Sequence, residues 1–226
     1  PLLTKAIQPL IMTGPTEVNT FQDNIIELAG EINAPILADP ISQLRFGNDS
    51  PLILAHYDIF LRYKDIQPDL IVRFGRKPTS KVLTQLLEKW EPFTFLVDPW
   101  QKLNDDCPNF IQSQIGDYCK YQLQNIEWEG SSDWVQELLS LEKIVKNEIL
   151  KEIRVHEGVI ARTCFDSIEE GGNLFVGNSM PIRDVDMFTS TSTKKVTIYS
   201  NRGASGIDGV ISTALGMCTE NRNAHS

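Results

Sequence analysis

With 226 residues, 41% of them apolar and 23% charged, the chain can bury a sizeable core and has the balance of a globular protein. A formal net charge of −9 weighs against a nucleic-acid surface, which needs clustered Lys and Arg. No apolar run approaches the ~18 residues of a membrane span, no signal-peptide pattern opens the chain, and four scattered cysteines (Cys107, Cys119, Cys164, Cys218) without a CxxC pair indicate a reducing, cytoplasmic setting with neither a disulfide framework nor a zinc site.

Residues 9–13 read as a strand, followed by the turn Gly14-Pro15-Thr16. Phe21, Ile25, Leu28 and Ile32 recur at helical spacing and predict a helix over residues 19–31. A strand at 35–38, a helix at 57–63 and a strand at 70–74 follow, the last ended by Gly75. Val82, Leu83, Leu86, Leu87 and Trp90 share one face of a predicted helix over 79–90, and 93–97 reads as a fourth strand. Strands separated by helices imply a parallel sheet with right-handed crossovers.

Near residue 130 the rhythm changes. Two long helical patterns occupy 133–153 and 155–168, with Asp133 as a fair N-cap for the first. Strand 173–176, helix 181–188, strand 195–199 and a helix from about Gly209 come next. The expectation is an α/β domain over residues 1–130 and the opening of a second over 131–226. Two strands do not make an independently stable sheet, and the tail 220–226 is polar where another strand would be expected. The chain also opens on Pro1 without an initiator Met, so it is expected to be processed or truncated and to end within the second domain.

Three loops carry chemistry. In residues 177–183, Pro181 suits the first turn of a helix, Asn178 or Ser179 could cap it, and Arg183 could fork onto a carboxylate or phosphate. The free N–H groups and the helix dipole favour an anion there. The alternative is that Ser179 is only a cap and that Arg183 pairs with Asp184 or Asp186. The second loop, SNRGASGIDG over 200–209, has three glycines and one cation, Arg202. It matches neither the G-x-G-x-x-G fingerprint nor a Walker A loop, and it could be a tight turn with Arg202 solvated. The third, residues 75–81, gathers Arg76, Lys77 and Lys81 at a helix start, against the dipole preference, which a bound anion would relieve. Its alternative is a solvated basic edge. His56, His156 and His225 have no ligand spacing, Asp105-Asp106 reads as a solvated pair, and Trp90, Trp100, Trp128 and Trp134 read as core packing.

GNSMPIRD (177–184), SNRGASGIDG (200–209) and STALG (212–216) occur in an order and spacing that resemble the 2-succinyl-5-enolpyruvyl-6-hydroxy-3-cyclohexene-1-carboxylate synthases, thiamine-diphosphate enzymes of menaquinone biosynthesis. Residues 71–83 and PLIMTGP (9–15) resemble the central domain of the same family. The resemblance implies an α/β fold, a parallel sheet flanked by helices, followed by an incomplete second α/β domain that begins the diphosphate-binding domain. It implies a full-length transferase, a homodimer or homotetramer with its active site between subunits, that decarboxylates 2-oxoglutarate on thiamine diphosphate with Mg2+ and adds the succinyl unit to isochorismate. The activating glutamate and the metal-diphosphate motif are expected outside this chain, which alone would be inactive. Ser179 and Arg183 match positions that hold the succinyl carboxylate. Arg202 and Lys81 match positions that hold the isochorismate carboxylates, Lys81 through the resemblance alone. Two other readings remain open: a non-catalytic module binding a dicarboxylate or nucleotide, and a purely structural domain.

Overall fold

The structure, a computed structural model, describes residues 3–16, 21–100, 105–128, 133–202, 206–220 and 224–225. The first body runs β1 (Pro9–Thr13), α1 (Gln22–Glu31), β2 (Ile36–Ala38), β3 (Ile53–Leu54), α2 (Tyr57–Phe60), β4 (Leu70–Phe74), α3 (Lys81–Trp90), β5 (Phe93–Asp98), β6 (Asn109–Gln112), α4 (Ile115–Asn125) and α5 (Asp133–Lys151). Its six strands are parallel in the order β3-β2-β1-β4-β5-β6. Successive strand residues point to opposite faces. Ile11, Val72, Phe74, Phe95 and Val97 pack with α1 and α4, while Leu10, Met12 and Ile71 pack with α2, α3 and α5. Both faces are covered, so β1 and β4 read as near-continuous apolar runs.

α5 follows residue 130 in sequence but packs on the first sheet. Trp134 and Leu138 join the core of Leu10 and Ile71, and Trp134 Nε1 donates to the Pro9 carbonyl at 2.8 Å. The apolar face of α5 finds its partner in that sheet, which carries the first body past residue 130 to Lys151. The sheet also has two strands that local pattern did not show. β3 has only two residues, and β6 is a half-exposed edge bounded by Asn109 and Gln112.

The second body runs α6 (Glu157–Ser167), β7 (Asn173–Phe175), α7 (Met180–Phe188), β8 (Thr197–Tyr199), α8 (Val210–Glu220) and β9 (Ala224–His225). Its sheet has three parallel strands in the order β8-β7-β9, because the polar tail supplies β9 beside β7.

The segment after β2 joins the two bodies. Ile41 and Phe46 enter the core of Leu174, Ile182, Val185 and Ile198, and the Phe46 ring lies 4.4 Å from that of Phe165. Gln43, held at φ 60, donates from Nε2 to the Ile198 carbonyl at 2.9 Å. The first sheet reverses direction between β1 and β4, where loops after neighbouring strands diverge and leave a crevice. Here the turns touch backbone to backbone: a Cβ on Gly14 would stand 1.7 Å from the Arg76 carbonyl oxygen, and Gly75 has φ +75.

Candidate functional site

The crevice faces the second sheet across a cavity of about 480 Å³ whose walls include Thr16, Gln43, Arg76, Trp100, Tyr199 and Arg202. Arg76 Nη1 donates to the Arg202 carbonyl at 3.5 Å, so the loop after β4 meets the loop after β8. Trp100 is 73% exposed at this mouth and is not a core residue as its type suggested, whereas Trp134 is buried.

The start of α7 is built differently from the sequence expectation. Neither Asn178 nor Ser179 caps it by a side chain. Ser179 stands at φ 72, ψ −123 with no side-chain cap hydrogen bond. That backbone region is costly for any residue with a Cβ. Asn178 is engaged elsewhere: its Nδ2 donates to the Gly206 carbonyl at 3.2 Å, and its Oδ1 accepts from Ser200 Oγ at 3.3 Å. The two glycine-containing loops are thereby stitched together. The exposed side chain of Ser179 is left free of any cap role.

Arg183 is half-buried on α7. Its Nη1 donates to Met180 Sδ at 3.8 Å, and its Nε is buried with no hydrogen-bond partner among the described residues. Burial raises the Asp184 carboxyl against a lowering influence of the Arg183 charge, but among the described residues neither Asp184 nor Asp186 forms an ion pair with Arg183. Asp186 is taken by Arg45 at 2.6 Å. Arg202 is half-buried, with its main chain fixed by Ser200 and Arg76.

Lys81 stands apart from these three. It opens α3 on the first body, is exposed, and has no ion-pair partner among the described residues. Its surroundings are ordered: Ser80 caps the helix by accepting from Leu83 N at 3.0 Å and donates to Asp58 Oδ2 at 2.6 Å. Asp39 accepts from Thr79 N at 2.6 Å and Ile41 N at 2.8 Å, linking this loop to the one after β2. The neighbouring cations are occupied. Lys77 pairs with Asp106 at 2.8 Å, and Asp105 pairs with buried Arg73, so the two aspartates are not merely solvated.

Sequence reading missed the buried polar groups that carry the loops. Arg45, Asp39, His56 and Asp186 are each 1% exposed or less. Burial pushes the Asp186 carboxyl up to about 7, against the lowering influence of Arg45, and burial likewise raises Asp39. Burial also works to raise Glu142, but its hydrogen bond to His56 and two backbone N–H groups outweigh it and leave that carboxyl below its ordinary value. No local pattern marks these residues, because their partners lie far away in sequence.

Among the described residues no group of three His, Cys, Asp or Glu could hold a metal ion. No described helix is long and apolar enough to cross a membrane.

A six-stranded parallel α/β sheet joined to a second parallel sheet, with strand-end loops facing each other, is consistent with the domains of a thiamine-diphosphate enzyme. The chain is similar to proteins named 2-succinyl-5-enolpyruvyl-6-hydroxy-3-cyclohexene-1-carboxylate synthase. It is 35% identical to that of Oceanobacillus iheyensis over 94% of this chain, 36% identical to that of Bacillus cytotoxicus over 96%, and 36% identical to that of Geobacillus kaustophilus over 95%. It spans 39% of the length of each of these relatives. No family model matches the chain.

Proposed function

We propose that this chain is the central part of a thiamine-diphosphate-dependent synthase that takes 2-oxoglutarate and isochorismate, and that it supplies cationic contacts to substrate carboxylates. The supporting observation is the start of α7: a buried Arg183 Nε without an acceptor, beside a serine held at φ 72. A buried guanidinium N–H left unpaired is costly, and strained backbone persists where the surroundings enforce it, commonly at binding sites. A carboxylate at this point would draw on the remaining donors of the Arg183 guanidinium and meet the free N–H groups of the first helical turn.

The carbon chemistry belongs to thiamine diphosphate. What this chain's residues do is bind and orient. Ser179 and Arg183 hold the succinyl carboxylate, and Arg202, at the junction of the two loops, holds a carboxylate of isochorismate. Lys81 holds the other only if a further segment or subunit brings that substrate to the first body. The full-length enzyme is then a cytoplasmic homodimer or homotetramer with its active site shared between subunits.

Kinetics of the full-length protein test this. Arg183→Ala should lower kcat/KM for 2-oxoglutarate by about one to two decades, the value of a lost charged bidentate contact of roughly 1.5–3 kcal/mol. Unchanged kinetics would remove Arg183 from the site.

A further inference from the structure

We infer that Arg45 is a positioning residue that sets the height and rotation of α7, and so the place of Ser179 and Arg183, through Asp186. The inference rests on the carboxylate-binding reading of α7 given above.

The geometry is specific. Arg45 is wholly buried, and its guanidinium spans the two bodies. Nε and Nη2 donate to the Ala38 carbonyl, at the end of β2, at 2.9 and 2.6 Å. Nη1 donates to the Asp186 carbonyl at 2.7 Å and the Thr189 carbonyl at 3.4 Å, and Nη2 donates to Asp186 Oδ1 at 2.6 Å. Asp186 Oδ1 also accepts from Tyr57 OH at 3.3 Å, a further hold from the first body.

These contacts fall on the last turn of α7, where helix carbonyls have no partner further along the helix and the dipole favours a cation. The opposite end of the same helix carries Ser179 and the open N–H groups. Asp186 lies three residues after Arg183, nearly on the same helix face. A shift or twist at Asp186 is therefore passed to Arg183 through rigid helix. A lysine could not hold Ala38 and Asp186 together in this way, because it lacks the planar fork.

A buried ion pair is often no better than an apolar replacement of similar volume, and this joint already has the Phe46 and Ile41 packing. A second tie sits just past the helix. Ser190 Oγ lies 3.2 Å from His56 Nε2, and His56 Nδ1 lies 2.7 Å from Glu142 Oε1. The order resembles a nucleophile relay, but His56 is wholly buried and leaves no room for a substrate at its ring. It anchors the segment after α7 to α5.

The test uses the full-length enzyme with Arg45→Met, Arg45→Lys, Asp186→Asn and Arg183→Ala, read as separate kcat and KM values for each substrate together with thermal melts. The expected result is a KM for 2-oxoglutarate raised about tenfold or more in Arg45→Met, with isochorismate KM changed by less than about twofold, a partial effect in Arg45→Lys and a smaller one in Asp186→Asn, which keeps an acceptor oxygen for Arg45. In the Arg183→Ala background, Arg45→Met should add no further rise, because Arg45 acts through Arg183. If Arg183→Ala leaves the 2-oxoglutarate KM unchanged, the underlying reading of α7 fails. If Arg183→Ala raises it but folded Arg45→Met does not, or if the double variant is fully additive, the positioning role is overturned. Should Arg45→Met fail to fold, Arg45→Lys, which keeps the charge and lacks the fork, decides alone: an unchanged 2-oxoglutarate KM overturns the role.

Discussion

Ser200 donates its Oγ hydrogen to Asn178 Oδ1 at 3.3 Å, while Asn178 Nδ2 reaches the Gly206 carbonyl, so one amide holds the loop before α7 against the loop after β8. Asn178→Ala removes both ties at a half-buried position and should cost only about 1 kcal/mol of stability. It should cost about a decade in kcat/KM for both substrates of the full-length enzyme, because Arg183 and Arg202 lose their common frame. Steady-state kinetics with each substrate varied in turn checks this, and an effect confined to one substrate would contradict a shared frame.

Ser179 separates strain from chemistry. Ser179→Gly relieves the positive φ and should stabilise the protein by about 1 kcal/mol, whereas Ser179→Ala keeps the strain and should leave stability nearly unchanged. Both lose the hydroxyl and should weaken 2-oxoglutarate use. Denaturant titrations beside kinetics distinguish the two effects.

The joint should respond to pH through Asp186. Its folded-state pKa, about 7, lies above the ordinary 3.8, so its contribution is fully present below 3.8 and is lost as pH rises through about 7. Glu142 has the opposite sign: its contribution is present above its ordinary 4.5 and is lost as pH falls through its lowered value. The unfolding free energy of the wild type minus that of Asp186→Asn should therefore fall between about pH 4 and about pH 7. A flat difference over that range would show that Asp186 stays ionised throughout.

The contact of Gly14 with the Arg76 backbone fixes the crevice. Gly14→Ala places a methyl 1.7 Å from a carbonyl oxygen and must push the two loops apart. Overpacking of this kind costs typically 1–3 kcal/mol. A lowered melting temperature with altered tryptophan emission from Trp100 at the cavity mouth would show it.

Much of the frame was legible locally. β1, β4 and α3 announced themselves through continuous apolar runs and a helical stripe, because burial on two sheet faces or one helix face imposes those periods. β3 and β6 gave no such signal: two residues carry no period, and a half-exposed edge strand needs no apolar run. The place of α5 was equally hidden, since its apolar stripe shows that it packs but not on which sheet.

By itself the sequence determined the parallel α/β class, the glycine-containing loops and the three residues Ser179, Arg183 and Arg202 at strand-to-helix junctions. These follow from short-range steric rules and from the period of the apolar residues. Only the tertiary structure decided that Asn178 ties loops instead of capping, that Asp186 is unavailable to Arg183, and that Arg45 holds it from 141 residues away. Which of several possible partners a charged side chain takes depends on desolvation and distance, and both are set only when the two sheets are brought together.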